Sequence, residues 1–147
     1  MVYPAKYLQP SVDNNVLPSE SDKVQYGGYL VNAADCASCH SPLTPQGPDM
    51  SRMFAGGYTF NGPAYTVNSA NITSDSATGI GTWTEERFLN KFIPYREEKN
   101  YDFVCGKENT LMPLSLLAGM TDNDLKSIYA YLRTVKPISN KVEKYPK

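Results

Sequence analysis

The residue types best suited to bind a metal or react covalently stand together in the stretch C-A-S-C-H, from Cys36 to His40. It contains two of the chain's three cysteines and its single histidine. Two thiols at this spacing fit one helical turn, where they can add to the two vinyl groups of one haem. The imidazole that follows can then lie under the iron as a ligand. The spacing is therefore typical of covalent haem attachment.

Other chemistries fit the same residues. Together with Cys105, they form a Cys3His set, which is a known composition of structural zinc sites. However, Cys39 and His40 are adjacent and would both have to ligate, and Cys105 lacks the close neighbour that zinc ligands usually have. A thioredoxin-like dithiol needs a βαβ pattern around C-x-x-C, and none is visible. Ordinary core residues are the remaining alternative.

A haem bound by His40 needs its second ligand from another residue type, because the chain has no other histidine. Methionine is the common choice in electron-transfer cytochromes. Met112, in the loop T-L-M-P-L, is the leading candidate. Met50 and Met53 follow the motif so closely that the chain would have to turn back tightly for either of them to ligate the iron. Met120 directly precedes a helix, and packing against that helix would account for a methionine at this position. Core packing is an alternative role for Met112 too, so these residues leave the distal ligand open.

Three helices are predicted to position these residues. The first has Ser21 as its N-cap and ends with the C-A-S-C-H stretch. The second begins near Thr84 and ends at Pro94. The third begins at Thr121, carries an apolar stripe, and is stopped by Pro137.

The connections between these helices are long. Residues 41–82 are rich in Pro, Gly, Ser, Thr and Asn, and only a short extended pair around Asn61 and Gly62 is expected there. A loop of this length is uncommon unless it wraps something, and a large apolar cofactor would explain it. We therefore predict an irregular arm over residues 1–20, one haem domain over residues 21–137, and a tail over residues 138–147.

The length and charge of the chain limit the functions that it can have. The 147 residues suit one domain with a modest core. The net charge is -1 and no basic stripe is present, so nucleic acid is not an expected partner. No apolar run approaches the ~20 residues that span a bilayer, and no secretory signal is visible. A removed signal or a membrane anchor upstream of Met1 is a hypothesis that the native gene would decide.

Four segments, in order, resemble class I c-type cytochromes, and in particular the cytochrome domains that accompany bacterial alcohol, aldehyde and sugar-acid dehydrogenases. These segments are G-G-Y-L-V-N-A-A-D-C-A-S-C-H, N-I-T-S-D-S-A-T-G-I-G-T-W-T-E-E-R-F, L-M-P-L and M-T-D-N-D-L-K-S-I-Y-A-Y-L-R. The resemblance covers roughly residues 24–136. Two features depart from the group's pattern: Leu114 stands where an aromatic residue is usual, and the segment from Tyr95 to Thr110 looks specific to this chain.

The resemblance implies an all-α fold, in which the first and last helices cross and long loops wrap one haem. Gly27 or Gly28 would then pack against Tyr131. Asn71 and Trp83 match the internal motif and are expected to line the haem or its propionates, with loop anchoring or core packing as the alternative.

The resemblance also implies the ligand set of one haem c. Cys36 and Cys39 would be its thioether sites, His40 the proximal ligand and Met112 the distal ligand. Cys105 lies in the segment that is specific to this chain, so the resemblance assigns it no role; we expect a free thiol, with an intermolecular disulfide as the alternative.

The expected function is one-electron transfer rather than catalysis on a substrate. The redox partner would be a dehydrogenase or terminal oxidase, docking at the exposed haem edge near Cys36 and Cys39. Thioether attachment implies maturation in the bacterial periplasm or on an outward membrane face. The alternative function is a zinc-stabilised, non-redox interaction domain.

Overall fold

The chain folds into short helices separated by long connections. The computed structural model describes residues 17–62, 66–101 and 110–146. Within these ranges there are five α-helices and two antiparallel two-stranded sheets. The helices are α1 (Lys23–Ala33), α2 (Cys36–His40), α3 (Glu85–Leu89), α4 (Leu114–Ala118) and α5 (Asp122–Thr134). Single 3-10 turns cover Met50–Arg52, Ile93–Arg96 and Glu98–Asn100.

The two sheets lie in the long connection between α2 and α3. They pair β1 (Leu43–Thr44) with β2 (Gly47–Pro48), and β3 (Thr59–Asn61) with β4 (Thr66–Asn68). The second pair confirms the extended segments predicted around Asn61 and Gly62. The helical character is thus observed, but the small sheets mean that the described fold is not purely all-α.

The start of α1 and its junction with α2 differ from the prediction. The N-cap is Asp22 rather than Ser21, because the Asp22 carboxylate accepts a hydrogen bond from the Gln25 amide at 3.1 Å. The helix ends at Ala33, and Asp35 adopts a left-handed conformation with φ of 51°. The C-A-S-C-H stretch is therefore a separate short helix and not the last turn of α1.

The elements around Pro94 and Pro113 also differ from the prediction. Helix α3 begins close to the predicted start, with Thr84 as its N-cap, but it ends at Leu89, and Pro94 lies inside a 3-10 turn. Helix α4, which was not predicted, begins directly after Pro113. Proline is acceptable at a helix start, because the first amide groups have no partner within the helix.

The last helix begins as predicted and packs closely against the first. Thr121 caps α5 in a reciprocal capping box with Asp124. A β-carbon on Gly28 would lie 3.0 Å from the ring of Tyr131, so α1 and α5 are in close contact at this point. This contact confirms the predicted packing of the helical glycines.

The core is one cluster of buried apolar side chains that joins α1, α3, α5 and the connections between them. Its members are Val31, Phe54, Ile80, Phe88, Leu89, Phe92, Ala118, Leu125, Ile128 and Leu132. Among the described residues, no helix combines the length and hydropathy needed to cross a bilayer.

Candidate haem site

Helix α2 presents its two thiols to different surroundings. Cys36 is half-buried and packs against the core cluster, whereas Cys39 is exposed. Burial raises the pKa of the Cys36 thiol to about 11. A redox dithiol requires the opposite shift, because the thiolate is the reactive form. The environment of Cys36 therefore does not favour thiol–disulfide exchange.

The imidazole of His40 is oriented by one backbone carbonyl. Its Nδ1 lies 2.7 Å from the carbonyl oxygen of Ala70. Since a carbonyl oxygen can only accept a hydrogen bond, Nδ1 must carry the proton, and Nε2 keeps its lone pair. Burial lowers the pKa of His40, although the hydrogen bond to Ala70 acts in the other direction. Both the tautomer and the neutral charge state are those that metal-ligating histidines use.

The backbone of His40 is also held. The amide of Gly56 donates a hydrogen bond to the carbonyl of His40 at 2.7 Å. Neither this contact nor the one from Ala70 was predicted. Both use backbone groups, which every residue carries, so no residue type in the sequence indicates them. The only available signal was the Gly56–Gly57 pair, which suggests unusual backbone, and both residues do have positive φ.

Met112 lies at a tight turn that faces the core. Its side chain is half-buried and packs against the same cluster as Cys36 and Trp83. Pro113 has φ of -76° and ψ of 67°, and the amide of Leu114 donates to the carbonyl of Met112 at 2.7 Å. These values describe an inverse γ-turn, which leads directly into α4. Met112 is therefore held between a turn and the apolar interior.

The other methionines that the sequence left open have different surroundings. Met50 is 63% exposed. Together with Met53, it lines a cavity of about 290 Å³ against the end of α5. Met120 packs against the core cluster, and its carbonyl accepts a hydrogen bond from the guanidinium of Arg96 at 3.0 Å.

Asn71 is a buried loop anchor, with 5% of its surface exposed. Its side-chain oxygen accepts hydrogen bonds from the amide and hydroxyl of Thr73 at 3.0 and 2.7 Å. Its side-chain nitrogen donates to the hydroxyl of Thr78 at 3.0 Å and to the carbonyl of Ile138 at 2.8 Å. The amide group thus ties the internal loop to the segment that follows α5.

Trp83 is half-buried and lies at the edge of the core. Its carbonyl accepts a hydrogen bond from the hydroxyl of Tyr129 at 2.6 Å. The charged groups of Arg87 and Lys91 lie 4.5 and 5.5 Å from its ring centre, within the range of cation–π attraction. The indole therefore has apolar neighbours on the core side and two cations outside.

The described part of the chain contains no cluster of three or more His, Cys, Asp or Glu side chains that could hold a metal ion. Cys105, the fourth member of the Cys3His set, lies outside the described residues. The zinc alternative thus gains no support from the described residues.

Comparison with known proteins finds cytochrome subunits of several dehydrogenases among the relatives of this chain. No protein-family model matches the chain. It is 36% identical over 117 residues to the gluconate 2-dehydrogenase cytochrome c subunit of Pantoea cypripedii, covering 79% of this chain and 24% of the relative. It is 37% identical over 119 residues to the fructose dehydrogenase cytochrome subunit of Gluconobacter japonicus, covering 78% of this chain and 22% of the relative. The chain matches a cytochrome c domain of dehydrogenase subunits.

This match confirms the resemblance predicted from the four sequence segments. A third relative is the cytochrome c subunit of the quinone alcohol dehydrogenase of Gluconacetobacter polyoxogenes, at 32% identity over 82% of this chain. The chain spans about a quarter of the length of these relatives. The comparison therefore concerns one segment of such subunits.

The residues of this chain that the structure describes fit a covalently held haem. The two thiols are two residues apart on one short helix. The neighbouring imidazole has a fixed tautomer that leaves Nε2 available, and a partly buried thioether packs against the cluster that Cys36 contacts. A soft sulfur donor and a neutral imidazole are the axial ligands of electron-transfer cytochromes.

Proposed function

We propose that the chain is a one-electron carrier with one covalently bound haem c. The observation that carries this proposal is the state of His40, whose Nδ1 is committed to Ala70 while Nε2 is left to ligate. When bound, the haem would supply reversible one-electron chemistry between Fe(III) and Fe(II). The similarity to dehydrogenase cytochrome subunits supports this role.

Each chain residue would have a separate task. Cys36 and Cys39 would hold the haem through thioether bonds, and His40 would ligate from the proximal side. Met112 would ligate from the distal side, and its thioether would favour the reduced state. With His40 and Met112 both ligating the iron, no ligand position would be left for a substrate, so we propose electron transfer and not catalysis.

The remaining predicted site residues would shape the pocket within a class I cytochrome c fold. Trp83 lies on the core side of the domain and would line the haem or its propionates. Asn71 already uses its side-chain oxygen and nitrogen within the protein, which supports loop anchoring as its main role.

The partner would be a dehydrogenase, because the relatives are cytochrome subunits of gluconate, fructose and alcohol dehydrogenases. Docking would occur at the haem edge beside Cys39, which is exposed. A net charge of -1 gives little long-range steering, so a free carrier would use a small, transient interface. A fixed place in a complex is the second form of this proposal. Thioether attachment would require maturation in the periplasm or on an outward membrane face, so we propose this location for the domain.

Absorption spectra of protein matured with a cytochrome c assembly system test the proposal. We expect sharp low-spin bands after reduction, and haem that stays with the chain in denaturant. A Cys36→Ala/Cys39→Ala double variant is the control, and it should lose its haem under denaturing conditions. A parent protein that retains no haem but contains zinc would contradict the proposal and favour the Cys3His alternative.

A further inference from the structure

Two neighbouring backbone segments hold His40 and support each other. One supplies the Ala70 carbonyl that accepts from Nδ1, and the other supplies the Gly56 amide that binds the His40 carbonyl. A β-carbon on Gly56 would lie 2.5 Å from the amide nitrogen of Asn71. The segments are thus in direct backbone contact, and a shift of one displaces the other.

The chain beyond α5 bridges these same two segments. The Ile138 carbonyl accepts a hydrogen bond from the side-chain amide of Asn71, the residue after Ala70. The side-chain amide of Asn140 donates at 2.9 Å to the carbonyl of Ala55, the residue before Gly56. Residues 138–140, here called the C-terminal brace, therefore contact the immediate neighbours of both residues that hold His40.

A third contact closes the arrangement. The Asn140 backbone amide donates at 2.9 Å to the hydroxyl of Thr78, which also accepts from the side chain of Asn71. Thr78 in turn donates to the carboxylate of Asp75 at 2.7 Å. Asn140 is half-buried. A connected network of this kind gains rigidity from each member, so the loss of one bond loosens the others.

We propose that Asn140 is a positioning residue for His40, acting through the C-terminal brace to keep the Ala70 carbonyl within hydrogen-bond distance of Nδ1. This inference rests on the proposed haem function. The brace would hold the imidazole plane and keep its Nδ1 proton engaged, which sets how strongly Nε2 donates to a metal.

The test compares matched asparagine variants of the haem-loaded, reduced protein by proton NMR. Asn140→Ala removes the bond to Ala55, and Asn140→Asp removes the donor while keeping the side-chain shape. Asn68→Ala is the control, because Asn68 donates an equivalent bond at 2.8 Å to the carbonyl of Glu143, farther along the same segment. Solvent exchange of the His40 Nδ1 proton and the reduction potential are measured in the parent protein and in all three variants.

We expect both Asn140 variants to exchange the Nδ1 proton about fivefold faster than the parent protein, as the loss of one hydrogen bond implies. Their reduction potential should rise, because a less firmly bonded imidazole is a weaker donor to the ferric state. Asn68→Ala should leave both readouts unchanged.

Two outcomes overturn the inference in different ways. If the parent protein retains haem but Asn140→Ala and Asn68→Ala behave alike, the brace is only structural and the positioning role is wrong. If the parent protein retains no haem, the proposed function fails first and this inference fails with it.

Discussion

Gly27 of α1 lies directly against the backbone carbonyl of Ser127 in α5. A β-carbon on Gly27 would be 1.9 Å from that oxygen and 3.0 Å from the β-carbon of Tyr131. No side-chain rotation can relieve a contact with backbone, so the two helices meet at this distance only because residue 27 has no side chain.

A Gly27→Ala substitution should therefore destabilise the domain. Separating the helices should cost about 1–3 kcal/mol, even after the gain in helix propensity. Gly28→Ala is the matched control, because the nearest atoms to its β-carbon would belong to the Tyr131 ring, at 3.0 Å, and a ring can tilt. Denaturant unfolding of the two variants measures the difference, and equal losses would contradict the proposed backbone contact.

The capping box of α5 predicts a smaller and local loss. Thr121 accepts from the Asp124 amide at 3.1 Å, and Asp124 accepts from the Thr121 amide at 2.9 Å. Thr121→Ala should lower the free energy of unfolding by about 1 kcal/mol. Thr82→Ala is the control, since Thr82 is exposed and precedes a different helix. If both substitutions have the same effect, the capping box does not stabilise α5.

A hydrogen bond between α1 and α5 predicts pH-dependent stability in the alkaline range. The Tyr26 hydroxyl donates to Asp124 at 2.8 Å, and this bond, with burial and the Asp124 charge, raises the pKa of Tyr26 from 10.0 to about 12. Its stabilisation should be complete below pH 10 and be lost as the pH rises towards 12, because the unfolded chain releases this proton first.

Tyr26→Phe checks this prediction, because it removes the hydroxyl and keeps the ring. Denaturant unfolding of both proteins across this pH range should show a steeper loss of stability for the parent. Parallel curves would mean that the Tyr26 hydroxyl does not contribute to the pH dependence.

The proposed ligation by Met112 predicts a spectroscopic change. Met112→Ala should convert the reduced protein from low-spin to high-spin and allow added ligands to bind, because one axial position opens. Met120→Ala is the control, and its spectrum should remain low-spin. The reverse pattern would make Met120 the sixth ligand. An unchanged spectrum in both variants would make Met53 the next candidate for that ligand.

Features that depend on nearby residues could be predicted from the sequence, whereas helix ends could not. The starts of α3 near Thr84 and of α5 at Thr121 were predicted, and in both the threonine side chain accepts a hydrogen bond from an amide three residues ahead. The end of α3, the break at Asp35 and the whole of α4 were missed or misplaced. These depend on how short segments pack on the core, and local propensity is a weak guide for helices of five residues.

The same division applies to the candidate site. C-x-x-C-H determines by its spacing alone which thiols and which imidazole can act together, and the single histidine excludes a second imidazole ligand from this chain. Only the tertiary structure decided that Ala70 orients His40, that Gly56 supports it, and that the segment around Asn140 bonds to the residues next to both. These contacts use backbone groups that every residue carries, so no residue type in the sequence predicts them. Only the folded path of the chain brings these backbone groups together.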